Sequence, residues 1–388
     1  KKKQKQKQKQ KQKKAPGAAL VHGAGPESTH AEGSAGARIP DPSPDSSLRR
    51  VGTLSGHTDA VLSVATLPSE HLIASSSEDG TVRCWDDRTH KAVRMIRLGD
   101  STTAVPSVCF HPGTGRLYSC AENKVSMFDL RSTDRIIMDA ELAVHTWDHH
   151  TDEVNQLSLS ANGNYLASCD DDGFLSVIHT KSLSVHSYQK AHENVCTSVA
   201  FDPNSNQRVF TGGTDSTVNQ WAVSERSQTQ HIDLSEEGQM GAAINPPFVT
   251  ALAVHPHEPV LGVARADYSA SIHQISGSGA ILHHLTEQHT NMVSAIVFPT
   301  FDPQLILTGG ADRTLSLWRV EPRMIPIQRG SSRARGGLSG GARSRKTVPT
   351  RITATRVQLK DKINALGVGE RAIYVGDTSP QIHVVECK

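Results

Sequence analysis

An all-β fold of repeated four-stranded sheets is predicted by three features of this sequence. The first is a recurring set of His, Ser or Thr, Asp and Trp residues at nearly fixed separations. The second is its period of roughly 40–45 residues, the length of one four-stranded unit in a repeat array. The third is that each end of the chain supplies part of a unit. Together they predict one closed body rather than the two or three domains that 388 residues would otherwise suggest.

The repeated set is clearest between Gly56 and Arg88, where His57 is followed by Ser75, Asp79 and Trp85. Three later stretches repeat it: His150, Ser168, Asp172 and Ile178; His192, Thr211, Asp215 and Trp221; His289, Thr308, Asp312 and Trp318. A Gly-His to Trp-Asp unit of this length is typical of one blade of a β-propeller. The predicted fold is therefore a β-propeller.

The sequence predicts seven units, because the turn residue that precedes the third strand of a unit recurs seven times. These residues are Asp79, Asn123, Asp172, Asp215, Asp267, Asp312 and Asp377. The second, fifth and seventh units have lost parts of the set, with Phe128, His273 and His383 in the Trp place. Since stacked units mainly contact their neighbours, we expect the intact units to hold the weak ones.

The chain ends predict how the ring closes. Residues 48–54 read as a strand with no unit of its own, and the end of the chain supplies three short strands of a last unit. Pairing the two completes that blade and removes an exposed sheet edge. This divides the chain into a disordered tail and linker (1–47), six blades with the closing strand (48–320), a disordered insertion (321–350) and the seventh blade (351–388).

The formal charge of +2 is unevenly distributed. Residues 1–14 hold nine lysines and the 321–351 stretch is also basic, so the remaining chain is acidic. This argues against a nucleic-acid groove in the propeller itself. The tail is either a nuclear-import or RNA-binding segment or a solvated low-complexity tail. The 329–346 segment resembles a short Arg-Gly tract, which is either an RNA-binding segment or a flexible loop.

Composition also limits compartment and cofactors. The six cysteines form no C-x-x-C pair and lie mostly in strand patterns, so we expect small core residues in a reducing compartment. No apolar run is long enough to cross a bilayer and no secretory signal is visible, which predicts nucleus or cytoplasm and no membrane contact. Adjacent histidines, at 149–150 and 283–284, point to opposite faces of a strand and cannot chelate as a unit. No metal or other cofactor is predicted.

Ser75, His57 and Asp79 have the composition of a catalytic triad. The same set recurs in three other units, whereas a nucleophile needs one activated site in one cleft. We therefore predict a structural network in which Asp fixes the His, the His bonds the Ser or Thr hydroxyl, and that hydroxyl reaches the Trp indole N–H. The sequence therefore predicts that this protein is not an enzyme.

A second motif lies where the third strand of a unit ends. Trp85-Asp86-Asp87-Arg88 is followed in the next unit by Phe128-Asp129-Leu130-Arg131, and the other five units have no Arg at that place. Two guanidinium groups on neighbouring blades would suit acceptors of a partner in forked geometry.

The repeated units resemble those of WD-repeat proteins across nearly all of residues 48–388. The W-D-x-R spacing is similar to the box of WD-repeat substrate receptors of cullin 4 type RING ubiquitin ligases, and residues 72–88 match that box closely. The second copy departs from it at Asn123 and Phe128. The resemblance implies a monomeric scaffold whose Arg88 and Arg131, with Asp86 and Asp129, bind the ligase adaptor, a protein of the damage-specific DNA-binding protein 1 type. An unidentified client would bind another face.

Two other functions fit the sequence. One is a general WD-repeat scaffold in which both arginines are ordinary surface residues. The other is an RNA- or chromatin-associated adaptor that works through the basic segments.

Overall fold

The computed structural model describes residues 48–100, 102–131, 137–235, 245–275, 277, 279–321 and 351–387. These residues form seven β-sheets and two short 3-10 helices, Pro68–Glu70 and Ala140–Leu142. The described part of the chain contains no helix with the length and hydrophobicity needed to cross a bilayer. The predicted disordered tail and nearly all of the predicted insertion lie outside the described residues.

Each sheet is one blade of a β-propeller, and the innermost strands of neighbouring blades contact one another around the ring. Blade 1 contains β2 (Val61–Leu67), β3 (Leu72–Ser77), β4 (Thr81–Asp86), β5 (Ala92–Arg97) and β9 (Ile137–Asp139). Blade 2 contains β6 (Ser107–Phe110), β7 (Arg116–Ala121), β8 (Lys124–Asp129) and β10 (His145–Trp147). Blade 3 contains β11 (Val154–Leu159), β12 (Tyr165–Asp170), β13 (Phe174–His179) and β14 (Ser184–Lys190).

The remaining blades follow the same antiparallel order. Blade 4 contains β15 (Cys196–Asp202), β16 (Ser205–Gly213), β17 (Thr217–Ala222) and β18 (Ser227–Asp233). Blade 5 contains β19 (Val249–Val254), β20 (Val260–Arg265), β21 (Ala270–Gln274) and β22 (Ile281–Leu285). Blade 6 contains β23 (Val293–Val297), β24 (Leu305–Gly310), β25 (Thr314–Glu321) and β26 (Arg351–Gln358). Blade 7 contains β27 (Ile363–Val368), β28 (Ala372–Asp377), β29 (Gln381–Cys387) and β1 (Leu48–Ser55).

The first strand of the chain closes the ring. β1 pairs antiparallel with β29, from Leu48 opposite Cys387 to Ser55 opposite Gln381. Leu54 is buried in an apolar cluster with Trp85 of blade 1 and Tyr374 of blade 7. The predicted seven-bladed ring and its closure by the N-terminal strand are confirmed.

The predicted start of the seventh blade is wrong. Arg351–Gln358 forms β26, which pairs with β25 along its whole length, from Glu321 opposite Arg351 to Thr314 opposite Gln358. The insertion therefore joins two strands of blade 6 rather than two blades. β26 is an outermost strand with one face toward solvent, and its alternating exposed residues carry none of the repeated motif. The sequence thus offers no signal that ties it to blade 6.

Blade 1 has an added strand that the sequence does not predict. β9 runs parallel to β5, with Ile137 opposite Met95 and Asp139 opposite Arg97. Met138 is buried in an apolar cluster that also contains Val82 of blade 1 and Phe128 of blade 2. β9 thus links the outer edges of these two blades.

Candidate functional site

Three blades contain the complete predicted hydrogen-bond network. In blade 1 the His57 Nδ1–H donates to Asp79 Oδ2 (2.9 Å), and the Ser75 hydroxyl donates to His57 Nε2 (2.8 Å). The Trp85 indole N–H donates to the same Ser75 oxygen at 2.9 Å. The same chain of bonds forms in two other blades: His192, Asp215, Thr211 and Trp221; His289, Asp312, Thr308 and Trp318. Each buried polar group in these chains has a partner, which is what a structural network requires.

The hydrogen bonds also set the ionisation of the aspartates. Burial raises the pKa of Asp215, but bonds from His192, Thr217 and the Glu193 amide outweigh it and lower that pKa to about 2. The corresponding balance at Asp79 places its pKa well below its usual range. These carboxylates are therefore ionised at neutral pH, and they hold the histidines in one tautomer.

Blade 3 uses a different aspartate from the one that the sequence predicts. His150 bonds Ser168 as expected, but its Nδ1 lies 2.8 Å from Asp170 Oδ2, while Asp172 accepts a bond from Thr151. Where Asp79 is followed two residues later by a Thr that bonds its carboxylate, Asp172 is followed by Phe174, which has no hydroxyl. Asp170 instead accepts bonds from the Tyr188 hydroxyl and the Phe174 amide. The assignment of Asp172 to the network is wrong, and Asp170 takes its place.

Two of the weak blades pair their buried aspartate with a different residue. In blade 5 the buried Arg265 lies 3.4 Å from Asp267 and bonds Ser269, so a guanidinium replaces the missing histidine. In blade 7, His383 occupies the Trp place and its Nε2 lies 2.9 Å from Asp377. The sequence predicts neither arrangement, because the partners of these aspartates differ from the repeated motif although the blades keep the same fold.

The predicted placement of His149 and His150 on opposite faces of a strand is wrong, because both follow the end of β10 and their ring centroids lie 4.6 Å apart. His149 Nε2 lies 2.6 Å from the Ser176 hydroxyl, whereas His150 belongs to the blade network. No group of three or more His, Cys, Asp or Glu side chains in the described residues is arranged to hold a metal ion.

All six cysteines lie in strands and have free thiols. Burial raises the pKa of Cys84 and Cys120 to about 12. These two thiols are therefore not ionised at neutral pH, and they lack the low pKa of a nucleophilic cysteine.

The Arg88 turn is ordered by the aspartate two residues before it. Asp86 Oδ1 accepts bonds from the backbone N–H groups of Arg88 (3.0 Å) and Thr89 (2.9 Å), and Oδ2 accepts one from Arg88 Nη2 (3.1 Å). The bond from Arg88 is the main cause that lowers the pKa of Asp86 to about 2. The Arg88 side chain remains 67% exposed. The Arg88 guanidinium thus faces solvent, while Asp86 fixes the Arg88 backbone and accepts one guanidinium hydrogen bond.

The Arg131 turn repeats this geometry in blade 2. Asp129 Oδ1 accepts bonds from the Arg131 backbone N–H (3.0 Å) and Nε (3.3 Å), and the Arg131 side chain is 63% exposed. Its aliphatic part lies against Gly115, where a Cβ would come within 2.9 Å of Arg131 Cδ. Corresponding strands of all blades run in the same direction, so both arginines lie on one face of the ring, on neighbouring blades.

Comparison with known proteins identifies the repeats. The family described as WD domain, G-beta repeat matches residues 48–86, 142–179, 182–222 and 279–319. Each match spans the outermost strand of one blade and the first three strands of the next, and the latter belong to blades 1, 3, 4 and 6. The first three strands of the weak blades 2, 5 and 7 are unmatched.

Among curated proteins, the chain is similar to a WD repeat-containing protein 53 homolog of Dictyostelium discoideum. The two are 28% identical over 356 residues, which is 86% of this chain and 93% of that protein. It also matches human Striatin-4 (26% identity, 56% of this chain, 28% of that protein) and human Echinoderm microtubule-associated protein-like 4 (25% identity, 70% and 29%). The matched repeats and the observed blades show that this chain contains WD repeats and folds as a seven-bladed β-propeller.

Proposed function

We propose that this protein is a non-catalytic substrate receptor of a cullin 4 type RING ubiquitin ligase. Arg88 and Arg131 would bind a ligase adaptor of the damage-specific DNA-binding protein 1 type, and another face of the propeller would bind the client protein. WD-repeat propellers generally act as scaffolds for protein interactions, which is the coarser function that the fold supports.

The observation that carries the proposal is the pair of ordered, exposed guanidinium groups on adjacent blades. A guanidinium has five N–H donors in a rigid fork, and the bond from Arg88 Nη2 to Asp86 uses one of them. The exposed remainder suits a carboxylate or backbone carbonyls of a partner. Because Asp86 and Asp129 already hold the base of each arginine, less conformational entropy is lost on binding.

The equivalent positions of the other blades have no such arrangement. Lys181 occupies the place in blade 3 and follows His179 rather than an aspartate, and Glu321 occupies it in blade 6. The Asp–Arg pair is therefore confined to blades 1 and 2. β9 fastens the outer edges of these same blades together, which stabilises the relative position of the two turns.

The test is a binding titration of purified damage-specific DNA-binding protein 1 against the wild type, Arg88→Ala, Arg131→Ala and the double variant. Truncation of a central interface arginine typically costs about 2 kcal/mol or more, so each single change should weaken binding roughly 30-fold. Lys181→Ala is the matched control, since it removes an exposed cation from the corresponding turn of blade 3 and should leave the affinity unchanged.

Undiminished binding by a folded double variant would overturn the proposal. The two arginines would then be ordinary surface residues, and the chain would be a scaffold that works through another surface.

A further inference from the structure

In each blade one residue of the turn after the third strand anchors that turn to the blade. In blades 1 and 2 it is the residue between Asp and Arg, which is Asp87 and Leu130. In six blades its backbone N–H donates to a carbonyl in or just after the turn between the first two strands, as in Asp87 to His71 and Leu130 to Gly115. Its side chain is buried in every blade except the first. The buried residues are Leu130, Thr180, Val223, Ile275, Val320 and Val385. Burial of this side chain is therefore the usual anchor of the turn.

Blade 1 lacks this buried side chain and has a carboxylate in its place. Asp87 is only partly buried, and its Oδ1 accepts a hydrogen bond from the Tyr374 hydroxyl. Tyr374 lies on β28 of blade 7, and its fully buried ring belongs to the cluster that contains Ile73 and Trp85 of blade 1. The backbone of this turn is thus bonded to blade 1, whereas the Asp87 side chain fastens it to the neighbouring blade 7.

That neighbouring blade is the one that β1 completes. β1 pairs with β29, and β29 pairs with β28 through Tyr374 opposite Val384. Leu54 of β1 and Val384 lie in the same apolar cluster as Tyr374. The position of the Tyr374 hydroxyl therefore depends on the docking of blade 7 against blade 1, which is the closing junction of the ring.

We propose that Tyr374 is a positioning residue for Arg88, and that its bond to Asp87 couples presentation of this arginine to closure of the propeller. A ring that has not closed lacks the bond and presents Arg88 on a loose turn, so the adaptor binds the fully folded receptor in preference. This inference deepens the proposed adaptor-binding function and rests on it for its binding arm. The turn that carries Arg131 is anchored by Leu130, which is buried in an apolar cluster of blades 1 and 2. It does not depend on Tyr374.

The binding arm measures damage-specific DNA-binding protein 1 affinity for Tyr374→Phe and Asp87→Ala, alone and in an Arg88→Ala background. Each single change should weaken binding about 5–10-fold, the usual effect of one lost hydrogen bond. In the Arg88→Ala background, neither Tyr374→Phe nor Asp87→Ala should weaken adaptor binding further. In an Arg131→Ala background, both changes should keep their effect. Asp87→Ala changes a partly buried turn residue outside the strands and removes the same bond, so it replaces Tyr374→Phe should that variant prove unstable.

A second arm needs no adaptor. Hydrogen–deuterium exchange of the 85–90 segment should quicken in Tyr374→Phe and Asp87→Ala, while the 128–131 segment, which has the apolar anchor, should be unchanged. If Arg88→Ala weakens binding but Tyr374→Phe and Asp87→Ala do not, the positioning role is overturned and adaptor binding stands. If Arg88→Ala has no effect, adaptor binding fails, and the exchange arm alone decides whether Tyr374 orders the turn. Unchanged exchange at 85–90 would overturn the inference.

Discussion

Replacing Asp170 by alanine tests the corrected network of blade 3 most sharply. The Asp170 side chain is fully buried and accepts bonds from His150, the Tyr188 hydroxyl and the Phe174 amide, at 2.8, 3.1 and 2.8 Å. Asp170→Ala leaves the buried His150 Nδ1–H without its acceptor, and it also removes the acceptor of the part-buried Phe174 amide and one partner of the Tyr188 hydroxyl. Leaving a buried hydrogen-bond donor without its acceptor typically costs about 1–3 kcal/mol, and we expect a loss of at least that size in the free energy of unfolding.

Asp172→Ala is the matched control, two residues away in the same turn. Asp172 is partly exposed and its side chain accepts a bond from Thr151, so its removal should cost less than about 1 kcal/mol. Denaturant titration followed by tryptophan fluorescence measures both, provided that the slope with denaturant is unchanged. A larger loss for Asp172→Ala than for Asp170→Ala would refute the assignment.

Three further predictions concern the same scaffold. Gly173 and Gly113 both have φ near +78°, but a Cβ at Gly173 would lie 2.3 Å from the Asn194 carbonyl oxygen, whereas one at Gly113 meets nothing within 4 Å. Gly173→Ala should therefore unfold at clearly lower denaturant than Gly113→Ala, whose cost is limited to about 1–2 kcal/mol of left-handed backbone strain. Arg265→Met should cost about 3–5 kcal/mol in the same titration, because Asp267 is left buried without its cation, and a cost below about 1 kcal/mol would contradict its role. Burial lowers the pKa of His273 to about 4, below its unfolded value of about 6.5. The unfolded state then binds more protons, so stability is complete above pH 6.5 and falls as the pH drops toward 4, by at most about 1.4 kcal/mol per unit from this residue. His273→Gln should make the measured pH dependence shallower, and an unchanged slope would count against this.

Much of the fold is predictable because the repeated residues are hydrogen-bonding partners of one another. His57, Ser75, Asp79 and Trp85 form one bonded chain, so their spacing fixes where the turns and the third strand lie. The closing role of β1 follows from counting strands at the two chain ends. Outer strands such as β26 have one solvent face and no motif residue, and their assignment needs the structure.

The candidate site is predictable to a smaller extent. The Asp86–Arg88 and Asp129–Arg131 spacings indicate the two turns, because an aspartate two residues earlier reaches the next backbone N–H groups. The exchange of Asp172 for Asp170 and the contact between Asp87 and Tyr374 depend on side chains brought together by tertiary packing. Tyr374 is 287 residues from Asp87 in the chain, and no local pattern connects them.

The most direct test of the proposed function is a structure of this protein bound to damage-specific DNA-binding protein 1. The account predicts that Arg88 and Arg131, which are 67% and 63% exposed here, become buried together against acceptor groups of the adaptor. A complex in which both side chains remain in solvent, with the adaptor on another part of the ring, would contradict it.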